Sequence, residues 1–157
     1  MGEVHRLPAP RISFTLQAAG RLMTEILPPW VQDLALLVES IETVRPPGAL
    51  PDWQPGATVR LPYAKKLCSD GAVLCTQALM ALADTAMVLA CSAAWNGYRP
   101  MASIDQTTHF LRPVSFDVVA DARVVRIGCN TSFGRVLLLN AADRRPVGMV
   151  ASAYSMV

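Results

Sequence analysis

The sequence predicts an α+β domain in which an antiparallel sheet curls around one long helix, with a further helix on its N-terminal side. Three observations predict it. Residues 71–95 (GAVLCTQALMALADTAMVLACSAAW) contain a single formally charged side chain, Asp84. The residues that follow switch from helical to alternating hydrophobicity. Nine of the 12 prolines fall at or before Pro62, so the first third is punctuated and the rest reads as long regular elements. With 157 residues, 52% hydrophobic and 17% charged, the chain has the apolar surface to build one core and is short for two.

The elements follow in order. Ser13 to Leu27 places Phe14, Leu16, Ala18, Leu22, Met23 and Ile26 at helical spacing, with Ser13 as N-cap and Pro28-Pro29 as the stop. Leu36 to Val44 and Ala57 to Leu67 read as strands separated by a Pro/Gly loop. This sets the domain division: residues 1–35 as a helical extension and 36–157 as the sheet-and-helix body. The run from Gly71 to Trp95 is apolar on every side, which describes either a membrane span or a helix surrounded by its own protein. Asp84 near its centre, with Gln77 and two threonines, favours the buried helix. Four strands then follow, Met101–Arg112, Asp117–Ile127, Phe133–Ala142 and Pro146–Tyr154, with short connections that predict an antiparallel meander.

Several functions are disfavoured at this level. A net charge of +2, with no basic run beyond Lys65-Lys66 and Arg144-Arg145, is no nucleic-acid footprint. Cys68, Cys75, Cys91 and Cys129 form no CxxC pair, and His5 and His109 stand far apart, so metal-ligand spacing is absent. No phosphate-binding glycine loop is present. Met1 to Pro10 lacks the apolar core of a secretory signal, and Arg6 stands where a myristoylation signal needs Ser or Thr. The expected setting is the cytoplasm, with free thiols and no membrane partner.

Asp84 carries the chemistry. Its neighbours one helical turn away, Met80, Ala81, Met87 and Val88, are apolar, and a carboxylate that loses solvation suits general-base or nucleophilic work near neutral pH. The other reading is a helix-interior carboxylate hydrogen-bonded to a loop or a neighbouring subunit. The helix start supplies a complement: unpaired backbone N–H groups around Cys75, Thr76 and Gln77 can stabilise an oxyanion. Cys75 is a small buried hydrophobe or, with His109 as base, a thiol nucleophile. Ser103, Asp105, Thr107 and His109 share one strand face by the period of two, as a polar stripe.

The run Leu82-Ala83-Asp84-Thr85-Ala86, then Ser103-Ile104-Asp105 and Phe110-Leu111-Arg112-Pro113, resembles the hotdog-fold acyl-CoA thioesterases of the PaaI (phenylacetate-degradation) type, over roughly Leu36 to the C-terminus. The resemblance implies a hotdog fold, hydrolysis of a CoA thioester, and Asp84 as the residue that activates water or attacks. It implies Thr76 N–H as oxyanion donor and Ser103 as a positioning residue. The family carries His-Gly-Gly where this sequence has Cys75-Thr76-Gln77, and an Asn near Ser69 or Asp70. Thr76 in place of glycine adds a side chain where the thioester approaches and narrows the mouth of the site. Cys75, Gln77 and Ser69 are thus candidate substrate-binding residues. Arg112, Arg126 and Arg135 are candidates for the phosphates of coenzyme A, which enters as part of the substrate; no other cofactor is expected. A homodimer or a dimer of dimers is implied, each site taking the helix Asp from one chain and the helix start from its partner. Two other functions fit the same residues, a non-catalytic acyl-CoA binding or sensing protein and a hydratase or dehydratase using His109, with a pure interaction protein as the remainder.

Overall fold

A computed structural model describes residues 13–157. Thr15, not Ser13, caps the first helix, because its side chain accepts from Ala18 N at 3.1 Å. Helix α1 (Leu16–Ile26) stops before Pro28 and is followed by the single turn α2 (Pro29–Gln32). Ala19 and Leu22 of α1 and Val31 of α2 are buried in the same apolar cluster as the rest of the domain, so these two helices pack on the body.

Strands β1 (Leu37–Glu42) and β2 (Gly56–Leu61) pair antiparallel. The second strand is shorter than its pattern predicts. Pro62 follows Leu61, and Lys65–Leu67 form a 3₁₀ turn instead. A small hairpin follows, β3 (Cys68–Ser69) and β4 (Val73–Leu74), with Gly71 at φ +82° in its turn. The central helix α3 (Thr76–Trp95) therefore begins five residues later than Gly71. It ends at Asn96, which takes the left-handed conformation of a C-terminal cap.

Strands β5 (Met101–Phe110), β6 (Val118–Ile127), β7 (Thr131–Asn140) and β8 (Pro146–Met156) complete a six-stranded sheet in the order β1-β2-β6-β7-β8-β5. The expected four-strand meander is corrected here. The strands β6, β7 and β8 do follow one another, but β5 pairs with β8 at the far edge and not with β6. The side of β6 that β5 would have taken is occupied by β2, in register from Gly56↔Arg123 to Leu61↔Val118. The sheet thus has β1 and β5 as its two edges.

The concave face wraps α3, whose Leu82, Ala86, Met87, Ala90 and Cys91 are fully buried. Leu82 alone contributes roughly 1.5–3 kcal/mol through removal from water. Helix and sheet approach closely at Gly134 of β7, where a Cβ would sit 2.2 Å from Met87 Sδ. The helix lies chiefly against β2 and β6 and touches the edge strand β5 only lightly. One face therefore escapes the wrapping that its all-round apolarity predicts: Met80 is 39% exposed, Thr76 and Gln77 are exposed, and Asp84 is half-buried.

Candidate active site

Asp84 sits on the uncovered face of α3, opposite the edge strand β5. Its Oδ1 accepts two hydrogen bonds, from Tyr154 Oη at 2.7 Å and from Ser103 Oγ at 3.0 Å. Oδ2 accepts none among the described residues. The side chain is thus fixed through one oxygen and leaves the other available. Tyr154 is 1% exposed, and burial, followed by the adjacent Asp84 charge, pushes its phenol well above its ordinary range, so it remains a donor. Next along the helix, the Cys91 thiol is pushed up to about 12 by burial and is inert at neutral pH.

A β-bulge places Ser103 toward the helix. The register of β5 against β8 shifts between Ser103 and Asp105, so Ser103 opposes Tyr154 and Asp105 opposes Ala153. The predicted polar stripe is therefore split. Ser103 and Gln106 face the helix, and Gln106 Nε2 donates to Met80 O at 3.2 Å, whereas Asp105, Thr107 and His109 lie on the outer face. His109 is thereby turned away from Cys75 and from Asp84.

The helix start forms a second feature. Cys75 is the half-buried N-cap residue with no side-chain cap bond, and its own N–H donates to Leu67 O at 2.9 Å. Thr76 N–H has no acceptor among the described residues, and Thr76 Oγ1 donates to Gln77 Oε1 at 3.4 Å. Thr76 opens onto a cleft of ≈ 530 Å³, which Ser69, Asp70, Leu79, Phe110 and Arg112 also line. Three of the sequence-derived candidates, Ser69, Thr76 and Arg112, thus come together there.

The remaining candidates do not join them. Arg126 opposes Phe133 across the β6–β7 ladder on the outer face. Arg135, exposed and opposite Arg123, lines a separate cleft of ≈ 400 Å³ with Glu42, Trp53 and Asp121. There Arg123 grips Glu42 through Nη1 at 2.6 Å and Nη2 at 2.9 Å, and Asp121 through Nε at 2.8 Å. The Arg123 guanidinium holds the Glu42 carboxyl below its ordinary value. A groove of ≈ 330 Å³ between α1 and β1 is lined without a titratable group. Among the described residues no cluster of His, Cys, Asp and Glu has the makings of a metal site.

Sequence reasoning missed Tyr154 and Gln106. Their signal was nonetheless present: Ser152 and Tyr154 occupy inward positions of β8, and a buried phenol requires an acceptor, for which Asp84 is the one carboxylate on the helix beneath.

The sequence pattern of the family described as the thioesterase superfamily matches residues 78–147. No protein of curated function matches the chain in sequence. Among solved structures, the PaaI protein from the phenylacetic acid degradation operon of E. coli superposes with a TM-score of 0.74 at 19% identity, over 93% of this chain and 96% of that one. A thioesterase of Haemophilus influenzae, HI1161, gives 0.73 at 20% identity, over 92% of both chains. The conserved protein PA5202 of Pseudomonas aeruginosa gives 0.70 at 23% identity, over 85% of this chain and 98% of that one. The long helix wrapped by an antiparallel sheet is the hotdog fold that these structures share, and residues 78–147 of it carry the sequence pattern of the thioesterase superfamily.

Proposed function

We propose that the protein is an acyl-CoA thioesterase that hydrolyses a CoA thioester to the free acid and coenzyme A. The observation that carries this reading is Asp84: among the described residues, one carboxylate oxygen is held by two hydroxyls and the other is unbonded, on a helix whose first N–H is also unpaired. Water attacks the thioester carbonyl as Asp84 Oδ2 takes its proton. A Thr76 N–H stabilises the oxyanion, and collapse of the tetrahedral intermediate breaks the C–S bond, the thiolate of coenzyme A leaving with the proton. Ser69 and Arg112 line the cleft through which the substrate reaches Thr76.

One chain does not complete this arrangement. Thr76 and Asp84 lie on the same face of α3, about 12 Å apart along the axis at 1.5 Å per residue. A reacting carbonyl must lie about 3 Å from both groups. The cleft at Thr76 is also not lined by Asp84. A second copy resolves both points. If two α3 helices run antiparallel across a two-fold axis, Asp84 of one meets Thr76 of the other, and Met80, midway between them, faces its own copy. The edge strand β5 beside this face offers unpaired backbone groups for the same association. The working unit is accordingly a homodimer, or a dimer of dimers, acting in the cytoplasm.

Thiol release from a panel of short-chain, medium-chain and aromatic acyl-CoAs tests the reading. Turnover of at least one member supports it. Stabilisation by acyl-CoA without thiol release from any member would overturn it in favour of a binding protein.

A further inference from the structure

We propose that Tyr154 is a positioning residue that dictates which oxygen of Asp84 does the chemistry. The inference rests on the reading of Asp84 as general base and adds a residue to it. A free carboxylate presents two equivalent oxygens and turns about its terminal bond. At Asp84 that equivalence is lost, because Tyr154 Oη and Ser103 Oγ both donate to Oδ1. With two donors on Oδ1, a water that approaches Asp84 is left with Oδ2.

The two donors are not alike. Ser103 is an exposed residue of an edge strand beside a bulge, and its hydroxyl is free to rotate to other acceptors. Tyr154 is 1% exposed and lies inside the sheet, paired with Ser103 of β5 on one side and Ser132 of β7 on the other. Its ring is fixed by the core, and its hydroxyl projects from that fixed body to 2.7 Å from Oδ1. The phenol is therefore the rigid anchor and the serine the adjustable one. The pairing also works in reverse, since a phenol buried to this degree is costly to leave without a hydrogen bond. Ser152 and Ser132, buried nearby, make no hydrogen bond to the phenol among the described residues, and Asp84 Oδ1 is its acceptor.

The test is Tyr154→Phe, which removes one oxygen and keeps the ring. Measured by thiol release, kcat falls about 10- to 100-fold, the loss expected when a reacting group is misoriented, while KM stays within about twofold. In an Asp84→Asn background the same change has no further effect on the residual rate. A Tyr154→Phe enzyme with unchanged kcat, alongside an inactive Asp84→Asn enzyme, would overturn the role of Tyr154 and leave that of Asp84 intact. An active Asp84→Asn enzyme would overturn both. A second measurement holds even if Tyr154→Phe fails to fold. With 3-fluorotyrosine at Tyr63, Tyr98 and Tyr154, Asp84→Asn should displace one ¹⁹F resonance and leave two in place. If it displaces none, the contact that carries the proposal does not exist in solution.

Discussion

Thr76 and Asp84 project from one face of α3, separated by about 12 Å along its axis, with the half-exposed Met80 between them. This spacing divides the labour of the proposed site between a donor at the start of the helix and an acceptor near its middle. It also makes the two contributions separable by substitution.

Thr76→Pro isolates the donor. Thr76 is the first residue of α3, where proline is tolerated because the N–H it removes has no helical partner. Cys75 before it already has the extended backbone that a following proline requires, with φ −68° and ψ 148°. The variant should keep its melting temperature and lose about 100- to 1,000-fold in kcat, the usual effect of deleting an oxyanion donor. Thr76→Ala, which retains the N–H, should remain active. Equal activity of the two variants would remove this amide from the mechanism.

Mixing subunits tests whether the site is shared. Thr76→Pro and Asp84→Asn chains, each inactive alone, should regain about one quarter of wild-type activity when co-refolded in equal amounts, because half of the dimers are mixed and each of those has one intact site. Met80→Glu should place two carboxylates across the axis and yield inactive monomers of unchanged fold, as read by sedimentation. Inactivity of every mixture, with Met80→Glu still dimeric, would refute the antiparallel arrangement.

The outer-face cluster predicts a pH-dependent stability. Arg123 hydrogen-bonds the Glu42 carboxyl and lowers its pKa from the ordinary value of 4.5. A group with a depressed folded-state pKa contributes stability above its unfolded value and loses it as pH falls through the folded one. Arg123→Met should therefore lower stability to urea at pH 7, by about 1–3 kcal/mol for the loss of charge-assisted bonds at this partly exposed site. The difference from wild type should shrink as pH falls below 4.5. A difference that stays constant from pH 7 to pH 3 would show that Glu42 gains nothing from Arg123.

How much of this was legible in the sequence depended on whether the signal was local. The central helix was readable because no other stretch of comparable length is so poor in charge, and Asp84 was conspicuous for the same reason. The later strands were readable from their alternation. The partner of β5 was not, since the preference of β6 for β2 is set by pairing across 63 positions, from Thr58 to Asp121, and leaves no local mark. The bulge at Ile104 defeated the face assignment in the same way. A strict period of two places Ser103 with Asp105 and His109, and one inserted residue moves it to the side of Gln106. Tyr154 was overlooked because it lies 70 positions from the carboxylate it contacts.

The most direct measurement is the rate of thiol release by Asp84→Asn against the acyl-CoA turned over best by the wild type. Asn is nearly isosteric and can still accept from Tyr154 and Ser103, so fold and dimer should persist while turnover falls by at least about 100-fold, the usual contribution of a general base. A folded Asp84→Asn protein that hydrolyses the thioester at the wild-type rate would contradict the account.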